Sequence, residues 1–429
     1  MSTFIVFTVF AICILFAIPI SVAIGISSIL PNIIEPSFTA SGQFIVRSMV
    51  SGLDSFPLLA VPMFILSGVI MARGKISEKI FNVFVLCFGK IKAGIPCAVI
   101  ITCLFYGAIS GSGPATVAAV GSMTIPIMVR LGYDKIFATS IVATAGGLGV
   151  IIPPSIPYIM FGMASGESVS KLFLAGIIPG IIVTLLLMVY AIYYCIKNGE
   201  DYEKINTEMV KLQNKGLIQV IKEGFWALLT PAIILGCIYS GIASPTEAAV
   251  ISVFYALFVS LFAYKTIKIK DIVPILRESI RTFAPILFIL ASSVAFSRVI
   301  TLMQVPQIIS DWILGNISNK IIILIVINLF LLVVGMIMDT TPAILILTPI
   351  LLPITTAIGI DTIHFGIIMV VNLAIGFITP PIGINLFVAS SLVNIPVFQI
   401  AKYTLPLIGY FLVALLLITF IPSLSLALI

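Results

Sequence analysis

The chain has 429 residues, of which 61% are hydrophobic and 9% are charged, and its mean hydropathy is +1.28. A chain of this composition cannot cover its surface with polar side chains, which excludes a water-soluble globular protein. We therefore expect an integral membrane protein in contact with lipids. The formal net charge of +6 then reflects membrane topology and does not indicate a nucleic-acid partner.

Taken in chain order, the first apolar stretch runs from Phe4 to about Ile26 and is too long for a signal-peptide core, so it is expected to remain as a span. A polar linker at 198–222 separates two halves, residues 1–197 and 223–429, which we interpret as repeats. In each repeat the sequence predicts scaffold spans, an interfacial arm, an interrupted apolar segment and a broken span. The last three lie at 36–56, 94–130 and 136–163 in the first repeat and at 265–282, about 321–357 and 363–391 in the second.

The interruptions carry similar residue types in both repeats. The first repeat has Ser110-Gly-Ser-Gly-Pro114 followed by Gly146 to Pro154, and the second has Asp339-Thr-Thr-Pro342 followed by Gly376 to Pro381. An offset of 227 or 228 residues superposes the two sets. Paired Gly/Pro interruptions at matching positions of two halves indicate the binding site of a transporter. If each half crosses the membrane an odd number of times, the repeats are inverted.

Each interrupted segment consists of two short apolar pieces around a polar tip. A piece of about sixteen residues is too short to cross about 30 Å of hydrocarbon comfortably. The sequence therefore predicts two re-entrant helical hairpins with their tips at membrane depth. Ser112 or Gly113 is the expected N-cap after the first tip, with Pro114 at the first helical position. After the second tip, Thr341 is the expected N-cap and Pro342 the first helical residue.

The tips and broken spans have the chemistry of an ion site. Unwound carbonyl groups and Ser, Thr or Asp oxygens suit a hard cation such as Na⁺, whereas helix N-termini suit a carboxylate. Asp339 lies between two apolar runs, where a charged side chain is costly and by default functional. Arg298 also lies in an apolar run, and it is expected to bind an anionic substrate, to pair with an acid, or to snorkel to the interface.

Other chemistries are disfavoured by the residues present. The six cysteines occur singly and His364 is the single histidine, so neither disulfides nor a metal centre other than Na⁺ is expected. The sequence has no Walker A motif and no G-x-S-x-G hydrolase elbow. We expect no organic cofactor and no catalytic residues, and the energy for transport must come from an ion gradient or a partner.

The distribution of basic residues bears on orientation. The clearest cluster contains five basic residues opposed by two acids: Lys265, Lys268, Lys270, Arg277 and Arg281, with Asp271 and Glu278. Cytoplasmic connections of membrane proteins are enriched in Lys and Arg, so this segment is expected in the cytoplasm.

The interrupted segments resemble those of the large membrane subunit of tripartite ATP-independent periplasmic (TRAP) transporters, the DctM or SiaM type. The resemblance extends over essentially the whole chain and is carried by residues 108–121, 146–157, 244–249, 339–353 and 376–385. It implies an Na⁺-coupled elevator mechanism, in which hairpins and broken helices slide against a scaffold in the bacterial inner membrane. It also implies two partners: a small four-helix membrane subunit (Q or DctQ type), expected as a separate chain, and a periplasmic substrate-binding protein (P type).

Carried over by position, the resemblance assigns residues to three sites. One Na⁺ site would contain Ser110, Ser112, Gly146, Gly149, Pro153 and Ser155. Another would contain Asp339, Thr340, Gly376, Thr379 and Pro380. The substrate would lie between the tips, at Ser112, Gly113, Ser155, Arg298, Thr341 and Asn385.

The resemblance leaves more than one function open. Sialic acid is the favoured substrate because Phe296-Ser-Arg298 is similar to sialic acid transporters, and C4-dicarboxylates come next. The alternative is a stand-alone Na⁺/dicarboxylate symporter of the divalent-anion type, although the tips lack the Ser-Asn-Thr sequence typical of that type. A third hypothesis is a membrane-embedded enzyme or assembly factor, but His364 alone cannot form a catalytic cluster.

Overall fold

A computed structural model of the chain describes residues 2–214 and 217–429. Within those residues the regular secondary structure is helical, as the composition predicts. Part of the predicted polar linker, residues 215 and 216, lies outside the described residues. The rest of the linker is largely helical, since one helix covers Tyr202–Asn214 and another begins at Leu217.

The first half begins with two apolar helices and continues through the arm to the first tip and broken span. Its helices are α1 (Ser2–Leu15), α2 (Ile20–Ile34), α3 (Gly42–Leu53), α4 (Ala60–Arg73), α5 (Ile76–Phe88), α6 (Gly94–Ser110), α7 (Gly113–Arg130), α8 (Lys135–Ala145), α9 (Leu148–Ile151), α10 (Ile156–Ser165), α11 (Val169–Asn198) and α12 (Tyr202–Asn214). Ser41 caps α3 within the predicted arm by accepting a hydrogen bond from the Phe44 N–H.

The second half has a long helix where the sequence suggests an arm and a separate span. Helix α15 begins within the predicted arm at 265–282 and continues through Pro285. The helices of this half are α13 (Leu217–Tyr239), α14 (Pro245–Phe258), α15 (Ile272–Leu302), α16 (Val305–Asn316), α17 (Lys320–Ile337), α18 (Thr340–Ala357), α19 (Thr362–Gly376), α20 (Ile384–Val393), α21 (Val397–Phe420) and α22 (Ser423–Leu426).

Nine helical segments in the described part of the chain are long and apolar enough to cross a membrane. A helix of 18 residues is about 27 Å long, close to the thickness of the hydrocarbon core. Large apolar side chains on these helices face outward, as at Phe254 in α14, Leu329 in α17 and Phe398 in α21. Such surfaces are stable in lipid, so the chain is a multi-pass membrane protein.

Two helical segments are interrupted at consecutive prolines. Pro153-Pro154 separates α9 from α10, and Pro380-Pro381 lies between the end of α19 and the start of α20. Proline lacks an amide donor and its ring clashes with the preceding turn, so two prolines together stop a helix. The carbonyl groups before each break are thereby released from the regular helical hydrogen-bond ladder.

The polar tips join α6 to α7 and α17 to α18. In the first tip Gly111 has a φ of +62°, which glycine adopts without steric cost, and Ser112 is the N-cap of α7. In the second tip the prediction of Thr341 as the N-cap is wrong, because the Asp339 carboxylate caps α18 by accepting from the Thr340 N–H. A carboxylate is favoured there by the helix dipole as well as by the hydrogen bond. Asp339 and Ser112 therefore occupy equivalent positions.

Helices of each half pack against helices of the other half. Helix α7 of the first tip packs against α20, which follows the break in the second half, and α18 of the second tip packs against α10. In the same way α21 packs against α8, and α11 packs against α19. Each tip helix thus lies against the broken span of the other half, so both tips and both breaks belong to one packed unit.

Paired glycines allow each tip to approach the broken span of its own half. A Cβ placed on Gly107 would lie 2.6 Å from the Cα of Gly149, and a Cβ on Gly376 would lie 2.2 Å from the carbonyl carbon of Gly335. These neighbours are backbone atoms, which cannot rotate away as a side chain can. Close helix contacts in membranes depend on such small residues.

The glycine contacts predict opposite effects for two sets of alanine substitutions. Gly107→Ala and Gly376→Ala should each destabilise the protein by about 1–3 kcal/mol, since overpacking forces backbone shifts. Gly236→Ala in α13 and Gly409→Ala in α21 meet no atom within 4 Å and serve as controls. They should be neutral or stabilising by up to about 1 kcal/mol, because alanine restricts the unfolded chain. Thermal unfolding in detergent, followed by tryptophan fluorescence, measures these changes in stability. Equal melting temperatures in all four variants would contradict the glycine contacts.

Candidate functional site

The first tip gathers three oxygen atoms from side chains and backbone. The Ser110 Oγ lies 3.0 Å from the Thr116 Oγ1, and the Thr116 hydroxyl donates to the Ser112 carbonyl at 2.8 Å. The Ser110 hydroxyl also lies 3.3 Å from the same carbonyl. The Ser112 side chain makes no capping hydrogen bond to α7, so its hydroxyl is not committed to the helix terminus.

The first broken span brings its backbone to these oxygens. A Cβ on Gly149 would lie 2.5 Å from the Thr116 Oγ1 and 2.7 Å from the Ser112 carbonyl oxygen, so only glycine fits there. The Ile156 N–H donates to the Gly111 carbonyl at 3.3 Å and ties the break to the tip.

Three further residues predicted for the first site lie around this junction. Gly146 is close enough to the Gly113 carbonyl that a Cβ would lie 3.3 Å from its oxygen. The Ser155 hydroxyl donates to the Val150 carbonyl at 2.5 Å, across the break that contains Pro153. The structure thus brings together the predicted Ser110, Ser112, Gly146 and Gly149, with Ser155 at the adjoining break.

The second tip contributes a carboxylate. The Asp339 Oδ1 accepts from the Thr340 N–H at 2.6 Å and from the Thr340 hydroxyl at 3.3 Å. Thr340 and Thr341 are both buried. The neighbouring α17 meets the broken span at Gly376, where the Gly335 backbone leaves no room for a side chain.

The residues that follow Gly376 form a tight turn before the second break. The Thr379 hydroxyl donates to the Ile375 carbonyl at 2.7 Å, and the Thr379 N–H donates to the Gly376 carbonyl at 3.2 Å. Pro380 follows directly and prevents continuation of the helix. The hydroxyl of Thr379 is thus held against its own helix.

Asn385 connects the second broken span to the first half. Its Nδ2 donates to the Ala143 carbonyl at 3.1 Å, and its backbone N–H donates to the Phe377 carbonyl at 3.0 Å. The side chain is fully buried, yet its Oδ1 has no hydrogen-bond partner. This oxygen lies beside the first tip, 3.3 Å from where a Cβ on Gly113 would be. A buried acceptor without a donor is costly and is expected where an ion or ligand binds.

Arg298 lies apart from this oxygen cluster. Its guanidinium donates to the Ser51 Oγ at 2.8 Å, which joins α15 to α3, and the side chain is exposed. The structure therefore places Arg298 at the contact between an arm helix and a scaffold helix.

Sequence reasoning missed two residues of the site. Thr116 follows Ser112 by four residues, a spacing that puts both on one helix face. This spacing could have predicted Thr116 as a residue of the first site. Gly107 is related to Gly335 by the same 228-residue offset as the tip prolines, and this match could have predicted that both glycines lie at close helix contacts.

A cavity of about 530 Å³ lies beside the first tip. Ser110 and Ser112 line it, together with apolar residues of α4, α7 and α15. Its volume is within the range of small-molecule sites, roughly 300–1,000 Å³. Oxygen ligands for a hard cation and space for an organic molecule therefore occur side by side. Within residues 2–214 and 217–429, no group of three or more His, Cys, Asp or Glu side chains could hold a different metal.

Comparison with known proteins shows the family to which the chain belongs. Residues 4–424 match the model of the family described as "Tripartite ATP-independent periplasmic transporter, DctM component". The isethionate TRAP transporter permease protein DctMQ of Oleidesulfovibrio alaskensis is 41% identical over 98% of this chain, which spans 65% of that longer relative. The C4-dicarboxylate large permease protein DctM of Pseudomonas aeruginosa is 40% identical over 87% of this chain and 86% of the relative.

Further relatives differ in the substrate for which they are named. The sialic acid large permease protein SiaM of Vibrio cholerae is 35% identical over 90% of this chain and 89% of the relative.

Two solved transporters share the fold at 14% identity. YdaH of Alcanivorax borkumensis has a TM-score of 0.64 over 88% of each chain. MtrF of Neisseria gonorrhoeae has a TM-score of 0.59 over 87% of this chain and 83% of that one.

These relatives are named as permeases and not as enzymes, which confirms the expectation of a transporter. The match covers both tips, both breaks and the connecting helices. The chain belongs to the DctM component family of tripartite ATP-independent periplasmic transporters.

Proposed function

We propose that the chain is the permease of a Na⁺-coupled uptake system for an organic acid anion in the bacterial inner membrane. A periplasmic binding protein delivers the anion, and a small membrane subunit completes the complex. The observation that carries the proposal is the oxygen cluster at the first tip, where Ser110, Ser112 and Thr116 meet the backbone of Gly149. Membership in a tripartite family supports the two partners.

Na⁺ is proposed as the coupling ion because both tips offer hard oxygen ligands. The first tip supplies hydroxyl and carbonyl oxygens, with the unpartnered Asn385 Oδ1 beside it. The second tip supplies the Asp339 carboxylate. Carbonyl, hydroxyl and carboxylate oxygens are the ligands that hard cations prefer. The proposed Na⁺ sites keep their predicted residues, with Thr116 and Asn385 as further candidates for the first.

An elevator motion is proposed for the unit formed by the two tips and two breaks. The contacts of α7 with α20 and of α10 with α18 hold this unit together across the halves. Outside it, α4 packs against α14, and α15 packs against α2 and α3, as a scaffold would. A unit that carries both ion and substrate sites gives alternating access when it moves past a fixed scaffold, and inverted repeats provide two related end states.

The substrate is proposed to be a small organic anion. The relatives are named for isethionate, a sulfonate, and for C4-dicarboxylate and sialic acid, which are carboxylates. The N-terminus of α7 has no side-chain cap at the cavity, and a helix N-terminus favours an anion. Sialic acid stays a prediction based on Arg298.

Uptake by the assembled system tests the proposal as a whole. The chain is reconstituted in proteoliposomes with its small subunit and binding protein and offered labelled N-acetylneuraminate, succinate or isethionate. Uptake of one of them is expected to require both an inward Na⁺ gradient and the binding protein. Uptake without the binding protein would favour the stand-alone symporter, and uptake indifferent to Na⁺ would contradict the coupling.

Replacement of the second-tip carboxylate is expected to impair Na⁺-driven uptake. Asp339→Asn removes the charge but keeps a residue that caps helices, so the protein should fold. A hydrogen bond or contact to a charged group contributes about 1.5–3 kcal/mol, so uptake should fall at least about tenfold. Asp311→Asn on the exposed face of α16 is the matched control. Unchanged uptake and unchanged Na⁺ half-saturation in Asp339→Asn would remove Asp339 from the site.

Two variants separate a substrate role of Arg298 from a structural one. If Arg298 binds the substrate carboxylate, Arg298→Gln should raise the KM for N-acetylneuraminate at least about tenfold, because it removes the charge that makes this contact. Ser51→Ala removes the hydrogen-bond partner of Arg298 and leaves that charge in place. It should change the KM less than about twofold. Equal KM values in both variants would assign Arg298 to the contact between α3 and α15.

A further inference from the structure

An ion pair between α4 and α15 borders the cavity at the first tip. The Arg73 Nε donates to the Glu278 Oε2 at 2.8 Å, and the two side chains are 44% and 47% exposed. Among the described residues that line the cavity, Arg73 and Glu278 are the charged ones. Any anion in this cavity would therefore meet a single positive charge, already paired with an acid.

The ion pair lies close to the first tip. Gly68 on α4 contacts the tip directly, since a Cβ there would lie 3.3 Å from the Ser110 Cα, and its carbonyl accepts from the Tyr106 hydroxyl at 3.2 Å. Arg73 follows five residues later, which is about 7.5 Å along the helix axis. Arg73 is the last residue of α4, so its guanidinium borders the cavity at the end of this helix.

A second, basic groove continues from the ion pair to the surface. It has a volume of about 460 Å³ and shares Arg73, Glu278 and Thr282 with the cavity. Arg277 and Arg281 line it on successive turns of α15. With three arginines and one glutamate, the groove has a positive balance and concentrates anions.

The groove opens on the basic side of the protein. The segment that leads into α15 carries Lys265, Lys268 and Lys270. Lys75 lies in the turn after α4, and Lys79 lies in the first turn of α5. By the positive-inside rule this side faces the cytoplasm. The path from the first tip thus leads to the cytoplasm in this conformation.

Resting on the proposed function, we propose that this path is the cytoplasmic exit of the transported anion, and that Arg73 leaves Glu278 to contact the anion on its way out. An ion pair this exposed contributes little to stability, so a second acid group can replace Glu278 readily. The guanidinium fork matches the paired oxygens of carboxylates and sulfonates. Glu278 then recaptures Arg73 once the anion has left.

Thiol labelling tests the path without depending on Na⁺-driven uptake. Thr282→Cys places a reporter where the cavity and groove meet. Thr266→Cys, exposed in the basic segment before α15 and outside both cavity and groove, is the control reporter on the same side of the membrane. Inside-out vesicles containing the full chain and its small subunit are treated with a membrane-impermeant maleimide, and labelling is quantified by peptide mass spectrometry. Isethionate, succinate or N-acetylneuraminate at 10 mM, roughly the scale of weak millimolar sites, is compared with glycerol, which is uncharged.

At least one of the three anions is expected to slow labelling at position 282 about fivefold or more, while glycerol has no effect and labelling at position 266 is unaffected. Arg73→Gln in the same background should abolish this protection, and Arg73→Lys, which keeps the charge without the fork, should retain part of it. Glu278→Gln should lower the anion concentration that gives half protection, because it frees Arg73.

Full protection in Arg73→Gln, or labelling at position 282 from right-side-out vesicles only, would overturn the exit path. Absent protection together with normal Na⁺-driven uptake would overturn the path while the proposed function stands. Protection in vesicles whose uptake ignores Na⁺ would overturn the coupling while the path stands.

Discussion

The structure depends on one constraint: a backbone polar group inside hydrocarbon must find its partner within the protein. Breaking a helix at membrane depth is therefore possible only where other helices enclose the break. In the most apolar 18-residue stretch of Lys135–Ser165, the segment that contains Pro153-Pro154, 94% of the residues are buried, whereas 33% are buried in the unbroken Lys320–Ile337. The broken spans lie inside, and the tips fill the space beside them. The carbonyl oxygens at each break are thus enclosed, and they accept hydrogen bonds from groups such as the Ser155 hydroxyl and the Asn385 N–H.

The positions of the breaks could be read from the sequence because the rule that sets them is local. Consecutive prolines stop a helix wherever they occur. The second repeat carries similar residues at the matching positions, so the sequence indicates a break in each repeat. The N-cap of α18 was harder to predict from the sequence, since Thr341 and Asp339 can both cap a helix. Which of them does so depends on where the chain turns. A carboxylate gains from the helix dipole in addition to its hydrogen bond.

Contacts between distant segments could not be read in this way. The approach of Gly107 to Gly149 joins residues that no local pattern links, and the Asn385 contact with Ala143 crosses from one half to the other. Arg298 is an anomaly in the sequence because of its charge in an apolar run, but its partner Ser51 lies on a helix far away in the chain. Tertiary packing decides these cases. The same packing accommodates large sequence change, as the 14% identical transporters of similar fold indicate.

The exchange of a hydroxyl for a carboxylate at equivalent N-caps has an electrical consequence. Ser112 is neutral, whereas Asp339 carries a fixed charge when ionised, so on the proposed mechanism the moving unit takes a negative charge with it. A bound Na⁺ would neutralise that charge, and an empty site would not. Moving one elementary charge across the membrane potential involves about 2.3 kcal/mol per 100 mV. The membrane voltage would then act differently on the loaded and the empty unit, and one side chain would make the direction of the cycle sensitive to voltage.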